Sequence, residues 1–224
     1  MRGAPPKRGA HFYKLTKLAK KMTKFMLAQK IQMSQIFDEA GNVIPVTILR
    51  AGPLVVSQIK NKEKDKYEAL QVAFGEKNKK NLTKAQRGHL KELGSFRWLR
   101  EFRISPKSDF KRGDKIDITV FKEGDLVKAR AESKGRGFQG AVKRHGFAGG
   151  PRTHGQKHSE REVGSIGATW PQRVIKGKRM PGRMGGNMVT VKNLRIIKIE
   201  PEKNILYVKG ALPGARGALV EIIG

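Results

Sequence analysis

Three histidines form the cluster of this chain that most resembles a metal site. His145, His154 and His158 lie close in sequence, with Glu160 and Glu162 directly behind them. Imidazole and carboxylate groups bind zinc, but a zinc site needs three or four ligands on a rigid frame. The surrounding segment is glycine-rich and strongly cationic, so it would repel a dication. We therefore predict no metal here and expect these histidines to contact phosphate or to stack on bases.

The hexapeptide GRGFQG, residues 135–140, matches the dinucleotide-binding pattern GxGxxG. In that motif the glycines follow a buried strand and let a helix N-terminus approach a pyrophosphate. Here the preceding residues are charged, and glycines interrupt the residues that follow. A nucleotide-dependent enzyme is the third of our hypotheses, and it predicts cofactor binding by the isolated protein. We expect none and predict no cofactor.

No catalytic set of side chains is visible in the sequence. Cysteine is absent, which removes disulfides, thiolate catalysis and cysteine-based zinc sites. No pair of carboxylates lies in an apolar setting that would separate their pKa values. Asp114 and Asp117, at the edge of a predicted strand, are interpreted as solvated turn groups. We predict that the protein is not an enzyme.

Residues 134–186 concentrate both glycine and positive charge. They hold 13 of the 26 glycines and 12 Lys/Arg against two carboxylates, a net charge of +10 within a chain of +29. A stretch this long with few large apolar groups does not offset its ordering entropy by burying its own surface. We expect an external polyanion to order it, because such a charge excess is typical of nucleic-acid binding. An anionic membrane is the weaker alternative, since no apolar run is long enough for a transmembrane helix.

Within this segment the basic and imidazole side chains are the predicted contacts. We list them as Lys134, Arg136, Lys143, Arg144, His145, Arg152, His154, Lys157, His158, Arg161, Arg173, Lys176, Lys178, Arg179 and Arg183. Trp170 lacks the apolar neighbours of a core tryptophan, so it is predicted either to stack on an unpaired base or to pack on another loop or a partner protein.

RNA is favoured over DNA as the polyanion. The segment shows no helix-turn-helix, zinc-finger or basic-zipper pattern, and an irregular basic loop suits the shaped grooves and unpaired bases of folded RNA. The first hypothesis is a non-enzymatic RNA-binding structural protein. The second is a general nucleic-acid-compacting protein that uses the same charges without a fixed site.

The residues on either side of this segment are predicted to form mainly β structure. Short β-branched runs bounded by turn residues predict strands, at 43–52, 54–60, 67–74, 115–121, 126–133, 188–200, 204–210 and 218–223. Hairpin turns are expected at 38–42 and at PEKN, 201–204, and Thr83 with Gln86 has capping-box spacing for one short helix over 83–93. We predict an antiparallel β-barrel, residues 25–133 and 187–224, from which the irregular basic extension 134–186 projects.

The first residues form a basic arm, assigned to 1–24. The first 37 residues contain nine Lys/Arg and no carboxylate. The arm is interpreted either as a retained nucleic-acid-binding segment or as an organellar transit peptide, and Met22 is an alternative start. The expected location is accordingly cytoplasmic, or organellar if the arm is a transit peptide.

Four stretches together resemble the bacterial-type large-subunit ribosomal protein L-three family. They are KIQMSQIFDEAGNVIPVTILRAGP, SKGRGFQGAVKRHGFAGGPRTHG, GSIGATWPQRVIKGKRMPGRMGG and KGALPGARG. The resemblance runs from about Met22 to Ile223. It implies a barrel on the outer face of the large subunit, an extension that threads through large-subunit rRNA, a role in early assembly, and neighbouring large-subunit ribosomal proteins as further partners. It implies no membrane and no small-molecule substrate.

The resemblance also assigns the tip of the extension, which in such proteins approaches the peptidyl-transferase centre. Its members here are Gly164, Ser165, Ile166, Gly167, Ala168, Thr169 and Trp170. Many relatives carry a glutamine at the tip that is methylated. Here Thr169 and Trp170 occupy that neighbourhood and Gln172 is slightly displaced, so we do not predict this methylation. A second departure is the opening stretch, where this chain has Ala28 and Gln32 in place of the family's glycines.

Overall fold

The computed structural model describes residues 24–103 and 110–224. Within them the chain forms twelve strands and three short helices, numbered in chain order. The strands are β1 Phe25–Phe37, β2 Val43–Ala51, β3 Leu54–Lys60, β4 Ala69–Glu76, β5 Phe96–Phe102, β6 Lys115–Ile116, β7 Leu126–Glu132, β8 Phe138–Gln139, β9 Gly182–Arg183, β10 Met188–Glu200, β11 Ile205–Lys209 and β12 Leu219–Ile223. The helices are α1 Lys62–Asp65, α2 Lys84–His89 and α3 Ala141–His145. The predicted N-terminal arm lies outside the described residues, except for its last residue.

Six strands close into an antiparallel barrel in the order β1-β12-β7-β10-β11-β2. The alternation in β7 shows why this sequence builds a barrel wall. Val127, Ala129 and Ala131 are buried and the residues between them are exposed. Closure removes the free edges that an open sheet would leave. The mainly β, antiparallel-barrel fold predicted from the sequence is confirmed.

A second sheet shares its core with the barrel. Its four strands run in the order β5-β4-β3-β6. The Phe25 ring of the barrel stacks on Phe102 of the second sheet with centroids 4.5 Å apart. Arg100 Nε donates to the Glu221 carboxylate at 3.1 Å across the same junction. The sequence predicted strands β3 and β4 but neither β5 nor this separate sheet.

The local turn and cap signals are confirmed. Asp38 N donates to the Asn42 carbonyl at 2.9 Å and closes the β1–β2 hairpin. Asn204 N donates to the Pro201 carbonyl at 3.1 Å in the turn between β10 and β11. The Thr83 hydroxyl and the Gln86 side chain form the reciprocal hydrogen bonds of a capping box.

Two predicted elements are shorter than expected. The strand over 115–121 is wrong after Ile116, because the chain turns into a short 3-10 helix that places Ile118 and Phe121 in the core. The helix predicted over 83–93 ends at His89, since Leu90 leaves the helical conformation and is buried. Three short helices are present where one was predicted. In the described part of the chain, no helix has the length and apolarity needed to cross a membrane.

Candidate nucleic-acid interface

The extension begins as a continuation of the barrel wall. Strands β7 and β10 pair up to Glu132 and Met188. The ladder then continues, with Ser133 N donating to the Asn187 carbonyl at 2.9 Å and Arg136 N to the Met184 carbonyl at 2.9 Å. Strands β8 and β9 pair immediately beyond. We call this paired region, residues 133–139 and 182–187, the stem.

Two glycines permit close backbone crossings in the extension. Gly185 has φ +76°, and a Cβ placed on it would lie 2.1 Å from the Lys134 carbonyl oxygen. Gly149 has φ +78°, and its Cβ would lie 2.0 Å from the Glu160 carbonyl oxygen. Any other residue would both overlap a backbone atom and occupy the left-handed region that L residues avoid. Gly185 therefore lets the returning chain lie against the outgoing one, and Gly149 lets the outgoing chain fold back on itself before the tip.

Helix α3 fastens the outgoing chain to the returning one. The Arg144 guanidinium donates to the Met180 carbonyl at 2.6 Å, and the His145 ring nitrogen Nε2 lies 3.0 Å from the same oxygen. Both side chains are half-buried. Arg144 and His145, both predicted RNA contacts, thus share a backbone partner within the protein, and this contact shapes the extension.

The element context around the hexapeptide 135–140 differs from that of a dinucleotide-binding site. The strand within it, β8, has two residues and its Phe138 side chain is exposed. The helix that follows, α3, has five residues. The motif requires a buried strand and a longer helix whose N-terminus faces a pyrophosphate. Here the glycines serve the stem and the start of α3.

The remaining predicted contacts are exposed along the extension. The thirteen exposed side chains are Lys134, Arg136, Lys143, Arg152, His154, Lys157, His158, Arg161, Arg173, Lys176, Lys178, Arg179 and Arg183. Arg152 Nε lies 3.2 Å from the Glu160 carboxylate. An exposed ion pair of this kind is worth little, so Arg152 stays available to a phosphate. The histidines do not assemble into a metal site, because the described residues contain no group of three or more potential ligands.

The tip residues 164–170 are all exposed. Trp170 is 81% exposed, far more than a core tryptophan. Within the tip, the Ser165 hydroxyl donates to the Gly167 carbonyl at 2.8 Å. Val174 and Ile175, on the returning side, are exposed as well. Residues 164–170 thus expose one aromatic side chain, the apolar Ile166 and several small side chains.

Lys30 is a positioning residue that the sequence analysis missed. Its ammonium group is buried at the barrel end and donates to the carbonyl oxygens of Leu212 at 2.6 Å and Gly214 at 3.2 Å. Burial, together with the nearby charge of Lys134, lowers the pKa of Lys30. A Cβ on Gly214 would lie 3.1 Å from the Glu132 carbonyl oxygen, so this loop packs against the base of the stem. Lys30 therefore supports the point from which the extension leaves the barrel.

Comparison with known proteins fits this geometry. A family model described as Ribosomal protein L3 matches residues 104–205, which include the whole extension. The large ribosomal subunit protein uL3 of Herpetosiphon aurantiacus is 48% identical over 199 residues, covering 88% of this chain and 94% of that protein. The chain belongs to the ribosomal protein L3 family.

Other members of the family match a similar share of this chain. The uL3 of Thermosynechococcus vestitus is 48% identical over 204 residues, 90% of this chain and 96% of that protein. The uL3c of Phaeodactylum tricornutum is 45% identical over 201 residues, which cover 88% of this chain and 97% of that protein.

Proposed function

We propose that this L3-family chain is a non-enzymatic structural constituent of the large ribosomal subunit, and that its extension binds large-subunit rRNA. One observation carries the proposal. Thirteen cationic or imidazole side chains are exposed on a single projecting segment that has a net charge of +10 and only two carboxylates. The named relatives, which are large ribosomal subunit proteins, support it.

The mechanism is charge neutralisation guided by shape. Exposed lysines and arginines on the extension release counterions from the phosphates and so let RNA helices approach one another. Residues 25–133 and 187–224 act as the globular base, and the stem fixes the direction in which residues 134–186 leave it. Because the backbone path is set by crossings at Gly149 and Gly185, the charges meet RNA in one arrangement rather than as a flexible tail.

The tip, residues 164–170, is proposed to approach the peptidyl-transferase centre and to shape it indirectly, through RNA conformation. Trp170 supplies a face on which an unpaired base can stack. The protein is further proposed to act early in subunit assembly and to contact neighbouring large-subunit ribosomal proteins. This function needs no cofactor, small-molecule substrate or membrane.

The test is a scramble of residues 161–179 that keeps composition and charge. It leaves unchanged the stem, the crossing at Gly149, and the contacts of Arg144 and His145 with the Met180 carbonyl. The part of the extension next to the barrel therefore keeps its structure. We expect the scrambled chain to lose incorporation into large subunits and to impair peptide-bond formation. Unchanged incorporation and peptide-bond formation would contradict the proposal and favour a general compacting protein, which needs the charges but not their order. Near-ultraviolet circular dichroism of Trp98, in β5, reports whether the globular base remains folded.

A further inference from the structure

The β1–β2 hairpin projects beyond the barrel. Strand β12 pairs with β1 only from Phe25 to Gln29, and β11 pairs with β2 only from Val46 to Arg50. Residues 32–37 therefore pair only with β2, and residues 43–45 pair only with β1. We call this two-stranded part, with its connecting turn, the ribbon. A two-stranded ribbon in water is marginally stable by itself. Packing against a partner would therefore stabilise it.

The base of the ribbon is held firmly. The Thr47 hydroxyl donates to the Gly210 carbonyl at 2.6 Å, and Gly210 N donates to the Pro45 carbonyl at 2.8 Å. On the other strand, Arg216 Nε donates to the Ile31 carbonyl at 3.2 Å. These bonds, with the Lys30 contacts described above, attach both strands to the loop after β11. The ribbon is thus presented in a fixed direction, which reduces the ordering entropy lost on binding.

One face of the ribbon carries three exposed apolar side chains, with the polar Gln35 between two of them. Phe37 and Val43 are directly opposite each other in the register, and they are 63% and 53% exposed. Met33 projects from the same face, because it lies four residues from Phe37 along β1, and it is 49% exposed. Phenylalanine and methionine are among the residues enriched in protein–protein interfaces. Three such side chains on one face therefore indicate a binding surface rather than scattered exposure.

The charge of the ribbon is opposite to that of the rest of the chain. Residues 31–49 contain no lysine or arginine, the longest such run in a chain with 48 of them, and their two charged groups are Asp38 and Glu39. A surface that bound RNA would need cations, and carboxylates would repel the phosphates. A basic protein with an apolar patch matches both features, since its cations complement the two carboxylates at the turn.

We propose that the ribbon docks a second, basic protein, which places an apolar cluster on Phe37, Val43 and Met33 and its cations beside Asp38 and Glu39. The inference rests on the proposed function in one respect: the large ribosomal subunit is the assembly in which the two proteins meet. The chain would then have two binding surfaces of different chemistry. The extension binds RNA through cations, and the ribbon binds a protein through apolar and acidic groups.

The test uses a benzophenone amino acid placed at Phe37 in the full chain. A matched chain carries it at Leu126, which is 62% exposed and lies on the barrel beside Arg195, its β10 partner. The gradient fraction that contains the chain is irradiated and then digested with nuclease or protease. We expect the Phe37 adduct to resist nuclease and to contain one basic protein, at about ten times the yield of any protein adduct from Leu126. A nuclease-sensitive adduct at Phe37, or no adduct, would overturn the proposal.

The affinity for the crosslinked protein then tests how much the apolar side chains of the ribbon contribute to binding. With the crosslinked protein purified, Phe37→Ser in the full chain should weaken binding about tenfold or more, as expected for an apolar anchor. Leu126→Ser should change it less than about twofold. Glu39→Gln should weaken binding at low salt and much less at high salt, because screening removes the charge contribution. Equal effects of Phe37→Ser and Leu126→Ser would refute the docking face. Absence of the chain from large subunits would instead reject the proposed function, because irradiation follows the chain wherever it sediments.

Discussion

Substitution of Gly185 by alanine should open the stem of the extension while leaving the barrel folded. The new Cβ would lie 2.1 Å from the Lys134 carbonyl oxygen, and the two backbones must part by about 0.9 Å to restore 3.0 Å. The left-handed conformation adds about 1–2 kcal/mol. Loss of the two flanking hydrogen bonds, Arg136 N to Met184 O and Gly186 N to Ser133 O, adds about 0.5–1.5 kcal/mol each. The expected destabilisation of the stem is about 2–5 kcal/mol.

Hydrogen exchange of the full chain measures this directly. Local opening that is easier by about 2–5 kcal/mol accelerates exchange of the Arg136 and Gly186 amides by roughly 30- to 4,000-fold. Barrel amides such as that of Ala129 should keep their protection. Gly177→Ala is the matched control, because Gly177 also has positive φ, +83°, but a Cβ there meets nothing within 4 Å. Equal acceleration of the stem amides by both substitutions, or none by Gly185→Ala, would refute the argument that a backbone crossing sets the stem.

Three further changes test the side chains. Trp170→Ala should weaken rRNA binding by about 1–3 kcal/mol through lost base stacking while the free energy of unfolding changes by less than about 0.5 kcal/mol; unchanged affinity in a filter-binding titration would exclude stacking. Arg173→Gln with Lys178→Gln should make the slope of log affinity against log salt shallower by about one to two, since each phosphate contact contributes about 0.7–0.9; an unchanged slope would show that neither side chain meets phosphate. Lys30→Met should lower the free energy of unfolding by about 1–3 kcal/mol at neutral pH, because two carbonyls lose their donor. Burial lowers the pKa of Lys30, so the unfolded chain binds the proton more tightly, and the advantage of the wild type should widen as pH rises towards the ordinary lysine pKa of 10.5. Denaturant unfolding across this pH range measures the difference in free energy of unfolding between the wild type and Lys30→Met. A difference that narrows as pH rises would contradict the buried, protonated state of Lys30.

Local sequence signals predicted the local structure well. Alternation such as that in β7, the turn closed by Asp38 and Asn42, and the capping box of Thr83 and Gln86 each involve residues close in sequence. Their physical causes act over a few residues, so a single sequence is enough to find them. The exposure of Trp170 followed from its small and polar neighbours in the same way.

Non-local contacts explain what the sequence could not predict. Strand β5 was missed because its half-exposed residues are placed by pairing with β4, far from any local alternation. The role of Lys30 was missed because its partners lie more than 180 residues away along the chain. Arg144 and His145 were assigned to RNA from composition alone, whereas the Met180 carbonyl is their partner in the fold. Glycine enrichment was visible, but the close crossings that require Gly149 and Gly185 were not.

The most direct test of the central claim is sedimentation of the tagged full chain through a high-salt sucrose gradient. Because the extension is proposed to lie deep within folded rRNA, the chain should comigrate with the large subunit in stoichiometric amount as salt is raised. Salt weakens phosphate contacts, but enclosure by the RNA keeps the chain in place. Release into the light fractions at moderate salt would contradict the account and indicate a peripheral or non-specific polyanion binder.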